Sequence, residues 1–214
     1  MGVLEDFRSL VTQISSVEEV KQAVGTALKI GIDPLKVLDT LNEALNEVGG
    51  RYEAGEYFLS DLIMAGVLAT EATSVLRPYL AKAGRRSLGK VVIGTVRGDI
   101  HDIGKNIVIM MLRAAGFDVV DLGVDVLAER FAEAIGVEDA NVLGMSALLT
   151  STMDEMRNVI DAIEKKGLRT RIKIVIGGRP LTRGFAEEIG ADAYAKDAVE
   201  AIGVVKEILE LREG

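Results

Sequence analysis

The chain has 214 residues, with 25 Lys+Arg against 33 Asp+Glu for a net charge of −8, 49% hydrophobic and 27% charged residues, no Cys, no Trp and a single His. That length allows one large or two small domains with real cores, and the composition is that of a globular chain, not a disordered one. The acidic balance argues against nucleic-acid binding, which needs a basic face; the missing cysteines exclude disulfides, thiolate zinc sites, Cys-ligated iron–sulfur clusters and a Cys nucleophile.

The N-terminus, Met1-Gly2-Val3-Leu4-Glu5-Asp6, has neither the basic flank of a secretory signal nor the hydroxyl of a myristoylation site. Uninterrupted apolar runs such as Leu62 to Ala69 and Ile107 to Leu112 fall far below the roughly 18 residues of a membrane span, so a soluble, cytoplasmic chain is expected. Residues 1–83 read as helices. Leu4, Phe7, Val11 and Ile14 recur at helical spacing, and Ser16-Val17-Glu18-Glu19 is a capping box that opens the stripe Val17, Val20, Val24 and Leu28. Asp33-Pro34 starts a third helix along Leu35, Leu38, Leu41, Leu45 and Val48, which Gly49-Gly50 is expected to stop. A fourth runs from about Ser60 to Tyr79, and short connections make the four an antiparallel bundle.

From Lys90 the period changes. Short β-branched runs at 91–96, 119–124, 142–147, 172–176 and 193–195 alternate with helical stretches at about 104–115, 127–136, 152–166, 182–189 and 197–211. Five strands and five helices in this order predict a flavodoxin-like, Rossmann-like α/β unit with a parallel sheet covered on both faces. The small, basic, Gly-bearing stretch 84–89 reads as a linker between a helical domain, 1–83, and the α/β domain, 90–214.

Open parallel sheets bind ligands beyond the carboxyl ends of their strands at the switch point, so the loops after strands one, three and four carry the chemistry. The first, Gly94 to Asn106, is long and holds the only histidine. It lacks the hydroxyls of a flavin-phosphate loop, strand three does not end in the aspartate of a receiver domain, and two carboxylates in the loop would repel a pyrophosphate. A metal presented to one imidazole suits it better, with Asp99 placed to take the second ring N–H of His101. One His is a poor site for a bare ion, and a metal already held in a macrocycle needs only one axial ligand.

Asp99-Ile100-His101-Asp102-Ile103-Gly104 is the Asp-x-His-x-x-Gly motif of base-off, His-on cobalamin-binding domains, and the likeness runs from Gly98 to Val108. Ser146-x-Leu148 after strand three and Gly177-Gly178 after strand four resemble the same family. Glu56-Tyr57-Phe58-Leu59-Ser60-Asp61-Leu62 is similar to the helical cap of methionine synthase and of the small corrinoid proteins of methyltransferase systems.

That resemblance implies cobalamin or a related corrinoid, with His101 as the lower cobalt ligand, Asp99 as its hydrogen-bond partner and Thr152 completing the relay. Gly98, Ile100, Asp102, Ile103 and Gly104 complete the motif, Asp102 as the N-cap of the following helix. Ser146, Leu148 and Thr150 would line the slot for the displaced nucleotide tail, Gly177 and Gly178 would let the backbone approach it, and Asp197-Ala198 would close its far end. Tyr52, Phe58, Leu59 and Leu62 match positions shielding the upper corrin face, on a cap that moves about the linker. The implied function is a methyl carrier: Co(I) takes a methyl group, carries it as methyl-Co(III) and passes it on. Partners would be a substrate-specific methyltransferase, an acceptor methyltransferase using tetrahydrofolate or a thiol, and an Fe–S reductive activator, with no nucleic acid and no membrane. A cobalamin-dependent sensor or a storage protein is the alternative.

Overall fold

The computed structural model describes residues 2–82 and 87–211; residues 83–86, and with them the first half of the linker read at 84–89, lie outside the described residues. The contacts of the described residues fall into two units, one of those up to Ser87 with Met110–Gly116, the other of Leu88–Ile109 with those from 117 to 211.

The first unit holds α1 (Val3–Thr12), α2 (Val17–Lys29), α3 (Pro34–Glu53) and α4 (Leu59–Lys82). Ser16 and Glu19 make the capping box reciprocally, and Asp33 accepts from the Leu35 N–H at 2.9 Å with Pro34 in the first turn. Gly49-Gly50 does not stop α3, which runs on to Glu53. A helical glycine costs only about 1 kcal/mol. Burial of Leu45, Val48 and Gly49 and the Arg51–Glu47 pair one turn apart outweigh that cost, and the chain turns at Gly55, φ +76°.

With a mean hydropathy of 1.4 over an 18-residue window, α4 is long and apolar enough to cross a membrane by length and composition alone. It buries Leu62, Ala65, Leu68, Ala69, Ala72 and Leu76 and packs on α2 and α3, the pattern of a bundle's central helix. The connection into α4 is pinned by Tyr57, whose hydroxyl donates to the Thr12 carbonyl at 2.6 Å and accepts from Arg51 at 2.9 Å. Arg51 in turn holds Glu47, which Arg8 of α1 also reaches.

The second unit is a five-stranded sheet, all parallel, of β1 (Lys90–Thr95), β2 (Asp118–Asp121), β3 (Val142–Ser146), β4 (Lys173–Gly177) and β5 (Ala193–Ala195), in the order β2-β1-β3-β4-β5. Helices α5 (Ile103–Ala114), α6 (Ala128–Glu138), α7 (Glu155–Lys165), α8 (Arg183–Ile189) and α9 (Ala198–Ile208) connect and follow the strands. On one face Val92, Val96, Leu143, Met145, Ile174 and Ile176 pack with Phe131, Ile135, Met156 and Ile160. The two-residue period of strands sends Thr95, Ser146, Gly177 and Ala195 to the other face. These four are direct partners in register, a rung of small side chains across four strands at their carboxyl ends.

Strand β2 is shorter than the 119–124 read from sequence. The Asp121 carboxylate accepts the Gly123 N–H at 2.9 Å and Gly123 takes φ +85°, which turns the chain out of the ladder. The helix expected from 152 begins instead with a 3-10 turn, Thr150–Thr152, and α7 starts at Glu155.

Tyr57→Phe removes one hydroxyl that serves two partners without changing the packing. It is expected to lower unfolding stability by about 1–2 kcal/mol, measured as a fall in the urea midpoint at unchanged slope.

Candidate functional site

The β1–α5 loop leaves the sheet at the switch point between β1 and β3. A turn closes from the Asp99 N–H to the Val96 carbonyl, with Gly98 at φ +79°, the third position of a type II turn where a side chain would be strained. The next residue, Asp99, is fully buried.

One Asp99 oxygen, Oδ1, accepts from the His101 backbone N–H at 3.0 Å and contacts His101 Nδ1 at 2.6 Å. The other, Oδ2, accepts from the Leu148 N–H at 2.7 Å, the Leu149 N–H at 3.2 Å and the Thr152 hydroxyl at 3.1 Å. Burial alone would raise the Asp99 pKa. The hydrogen bonds from Leu148, His101 and Leu149 overcome it and hold the carboxyl well below its ordinary value. A group shifted this way lends stability that is complete above the ordinary carboxylate range near 4 and is lost as pH falls below it toward the folded value.

An ionised carboxylate can only accept, so in the neutral imidazole the proton sits on Nδ1 and the lone pair on Nε2. Among the described residues none hydrogen-bonds Nε2, and the His101 side chain is 47% exposed. Exposed apolar side chains stand on the segments that follow β1, β2 and β3: Ile100 and Ile103, Val124 and Leu127, Leu148 and Leu149. One presented nitrogen among apolar side chains fits the axial position of a metal that brings its own equatorial ligands. Among the described residues no group of three or more His, Cys, Asp or Glu could hold a bare ion.

Thr152 is buried, but its single hydroxyl proton has two acceptors, Asp99 Oδ2 and the Leu149 carbonyl at 2.9 Å. Two peptide N–H groups therefore hold Oδ2 whichever way the hydroxyl points. Asp102 directly precedes α5; its carbonyl accepts the Asn106 N–H at 2.8 Å and its carboxylate the Asn106 side chain at 3.1 Å. Gly104 is exposed in the first turn of α5.

The half-buried Ser146 lies in the rung of small residues, whereas Thr150 is exposed in the 3-10 turn. At Gly178, φ +144°, a Cβ would run into the Ala147 carbonyl, and at Gly177 one would lie 3.1 Å from the Ala195 carbonyl. The sheet's own packing thus already requires glycine at 178, whereas at 177 the contact is only a tight one. Asp197 caps α9 through the Val199 and Glu200 N–H groups, and Ala198 is buried. In the helical unit Phe58 and Leu59 are exposed, Tyr52 is half-buried and Leu62 is buried, so these four do not form one exposed set.

Sequence reading missed the β2–α6 loop, because it followed only the loops after strands one, three and four. The Thr95 N–H donates to the Gly123 carbonyl, the Val126 N–H to the Thr95 carbonyl, and the Thr95 hydroxyl to the His101 carbonyl at 2.9 Å. Asp125 contacts the motif loop directly. At the loop's base, the buried Lys105 ammonium pairs with Asp121 at 2.7 Å. A lysine in the first turn of an apolar helix, with an aspartate ending the next strand, is the available signal.

Compared with known proteins, residues 89–203 match a B12 binding domain family and residues 16–77 a second B12 binding domain family. The chain is 41% identical over 209 residues to dimethylamine corrinoid protein 3 of Methanosarcina acetivorans, covering 97% of each. Among solved structures, it resembles a cobalamin-binding protein from Desulfitobacterium hafniense DCB-2, with TM-score 0.83 and 30% identity over 95% of this chain and 97% of that one. It also resembles the methanol:cobalamin methyltransferase complex of Methanosarcina barkeri, with TM-score 0.80 and 29% identity over 97% of this chain and 80% of that one.

Asp99→Asn places an amide against donors that need an acceptor and is expected to cost about 2–4 kcal/mol. Thr152→Val is expected to cost no more than about 1 kcal/mol, because two N–H groups still hold Oδ2. Thermal unfolding of the pair checks the order: an equal loss in both would contradict it.

Proposed function

The chain belongs to the B12-binding corrinoid proteins, and from that premise we propose that it holds its corrinoid base-off, with His101 Nε2 as the lower axial ligand of the cobalt. It is a methyl-carrying corrinoid protein. When bound, the corrinoid supplies a cobalt that accepts a methyl group from one methyltransferase and yields it to another.

The observation that carries the reading is the Asp99–His101 contact, with Nε2 unpartnered among the described residues. Asp99 holds the proton at Nδ1, which keeps the lone pair on Nε2 and makes that nitrogen a better donor. The hydrogen bonds from Leu148, Leu149 and Thr152 fix the carboxylate, and through it the imidazole plane. We assign the displaced nucleotide tail to the rung of Thr95, Ser146 and Gly177, with Gly98, Asp102, Gly104, Thr150, Gly178, Asp197 and Ala198 supporting the loops around it. Residues 1–83 are taken as a helical domain and 90–214 as the corrinoid-binding domain.

The partners in this reading are a methyltransferase specific for the methyl donor, a second that passes the group to tetrahydrofolate or a thiol, and an Fe–S reductive activator, all in the cytoplasm. Relatives named for dimethylamine support a methylated amine as the donor.

Reconstitution with hydroxocobalamin followed by reduction to Co(II) tests the ligand. The paramagnetic resonance spectrum is expected to show coupling to one histidine nitrogen, lost in His101→Ala; an unchanged mutant spectrum would exclude His-on binding. Methyl iodide is expected to methylate the fully reduced holoprotein. Failure there with His-on binding intact would favour a sensor or storage role.

A further inference from the structure

The Asp-x-His-x-x-Gly loop is short of internal restraints where it matters. Gly98 is conformationally free, and the turn before Asp99 is closed by a single bond, from the Asp99 N–H to the Val96 carbonyl at 3.2 Å. The missing restraint comes from the neighbouring loop. Asp125 Oδ1 accepts the Gly98 N–H at 2.7 Å, and the Asp125 N–H donates to the Asp99 carbonyl at 3.0 Å. One residue thus grips the main chain on both sides of the Gly98–Asp99 peptide.

Asp125 itself sits at φ +53°, a conformation that aspartate and asparagine tolerate better than other side-chain-bearing residues. It is braced behind by Gly123 and ahead by Val126, which bond the N–H and carbonyl of Thr95. We propose that Asp125 is a positioning residue for the metal ligand: by fixing the Gly98–Asp99 peptide it aims the Asp99 carboxylate at Nδ1, and so sets the tautomer of His101. Its hydrogen bonds to this loop go to main-chain groups, the Gly98 N–H and the Asp99 carbonyl, and not to the imidazole or the Asp99 side chain. This inference deepens the His-on reading and takes its functional meaning from it, but the positioning is a property of the chain alone.

His101 is the only histidine, so the long-range proton–nitrogen spectrum of the 15N-labelled full-length protein contains one imidazole. Recorded without corrinoid at a pH where the imidazole is neutral, the wild type is expected to be protonated at Nδ1. Asp125→Asn keeps an acceptor oxygen and the tolerance for positive φ, and is expected to give the same spectrum. Asp125→Gly keeps the backbone freedom and loses the acceptor, and Asp125→Ser shortens the side chain out of reach. In whichever of these two folds, by circular dichroism, the ratio of Nδ1–H to Nε2–H is expected to fall about fivefold or more. A folded Gly or Ser variant with the wild-type tautomer would overturn the proposal, even if its melting temperature had dropped, and so would a shifted tautomer in Asp125→Asn. Hydroxocobalamin binding by the wild type, measured in parallel, keeps the two readings apart: no binding would end the His-on reading while leaving the tautomer result to stand or fall by itself.

Discussion

Burying Asp99 strips a full negative charge of its water, a cost of several kcal/mol that nothing apolar can offset. The surrounding chain is organised around meeting that cost. Donors converge from two directions: the residues after Asp99 supply a backbone N–H and an imidazole, and the segment after β3 supplies two peptide N–H groups and a hydroxyl. Because the imidazole is one of those donors, satisfying the carboxylate and orienting the histidine are the same event.

The topology makes this convergence available. In a sheet ordered β2-β1-β3-β4-β5 the chain leaves the neighbouring strands β1 and β3 in opposite senses, which sets their carboxyl-end loops beside each other at the switch point, where the segment after β3 reaches Asp99. Small residues form the rung from Thr95 to Ala195 at the carboxyl ends of four strands. The β2–α6 loop bonds the motif loop from the side of β2, with the Lys105–Asp121 pair at its base. A buried ammonium in the first turn of a helix is electrostatically misplaced, and its pairing with Asp121 turns that strain into a fixed origin for the loop.

Much of this is legible in the chain's order of residues. Periodicity changes near residue 90 because helices bury one side in 3.6 and parallel strands bury both, and motif spacing brings His101 and Asp99 together because two residues of turn suffice. What could not be read was tertiary in origin. Gly49-Gly50 looks like a stop signal, yet burial and the Arg51–Glu47 pair carry α3 through it. The Leu148 and Leu149 bonds come from peptide groups, which every residue possesses and no side-chain pattern announces. Gly177 and Gly178 lie beside the carbonyls of Ala195 and Ala147, neighbours in space that no pattern along the chain announces.

The peptide origin of those bonds has an evolutionary side. A grip made by main-chain N–H groups survives any replacement at positions 148 and 149 except proline, which has no N–H to give. Their exposed side chains are therefore free to drift in size and shape while the carboxylate stays held. Descendants of one ancestral loop can thus adapt the surface they show to different corrinoids or different enzymes without renegotiating the hydrogen bonds that keep the ligand in place.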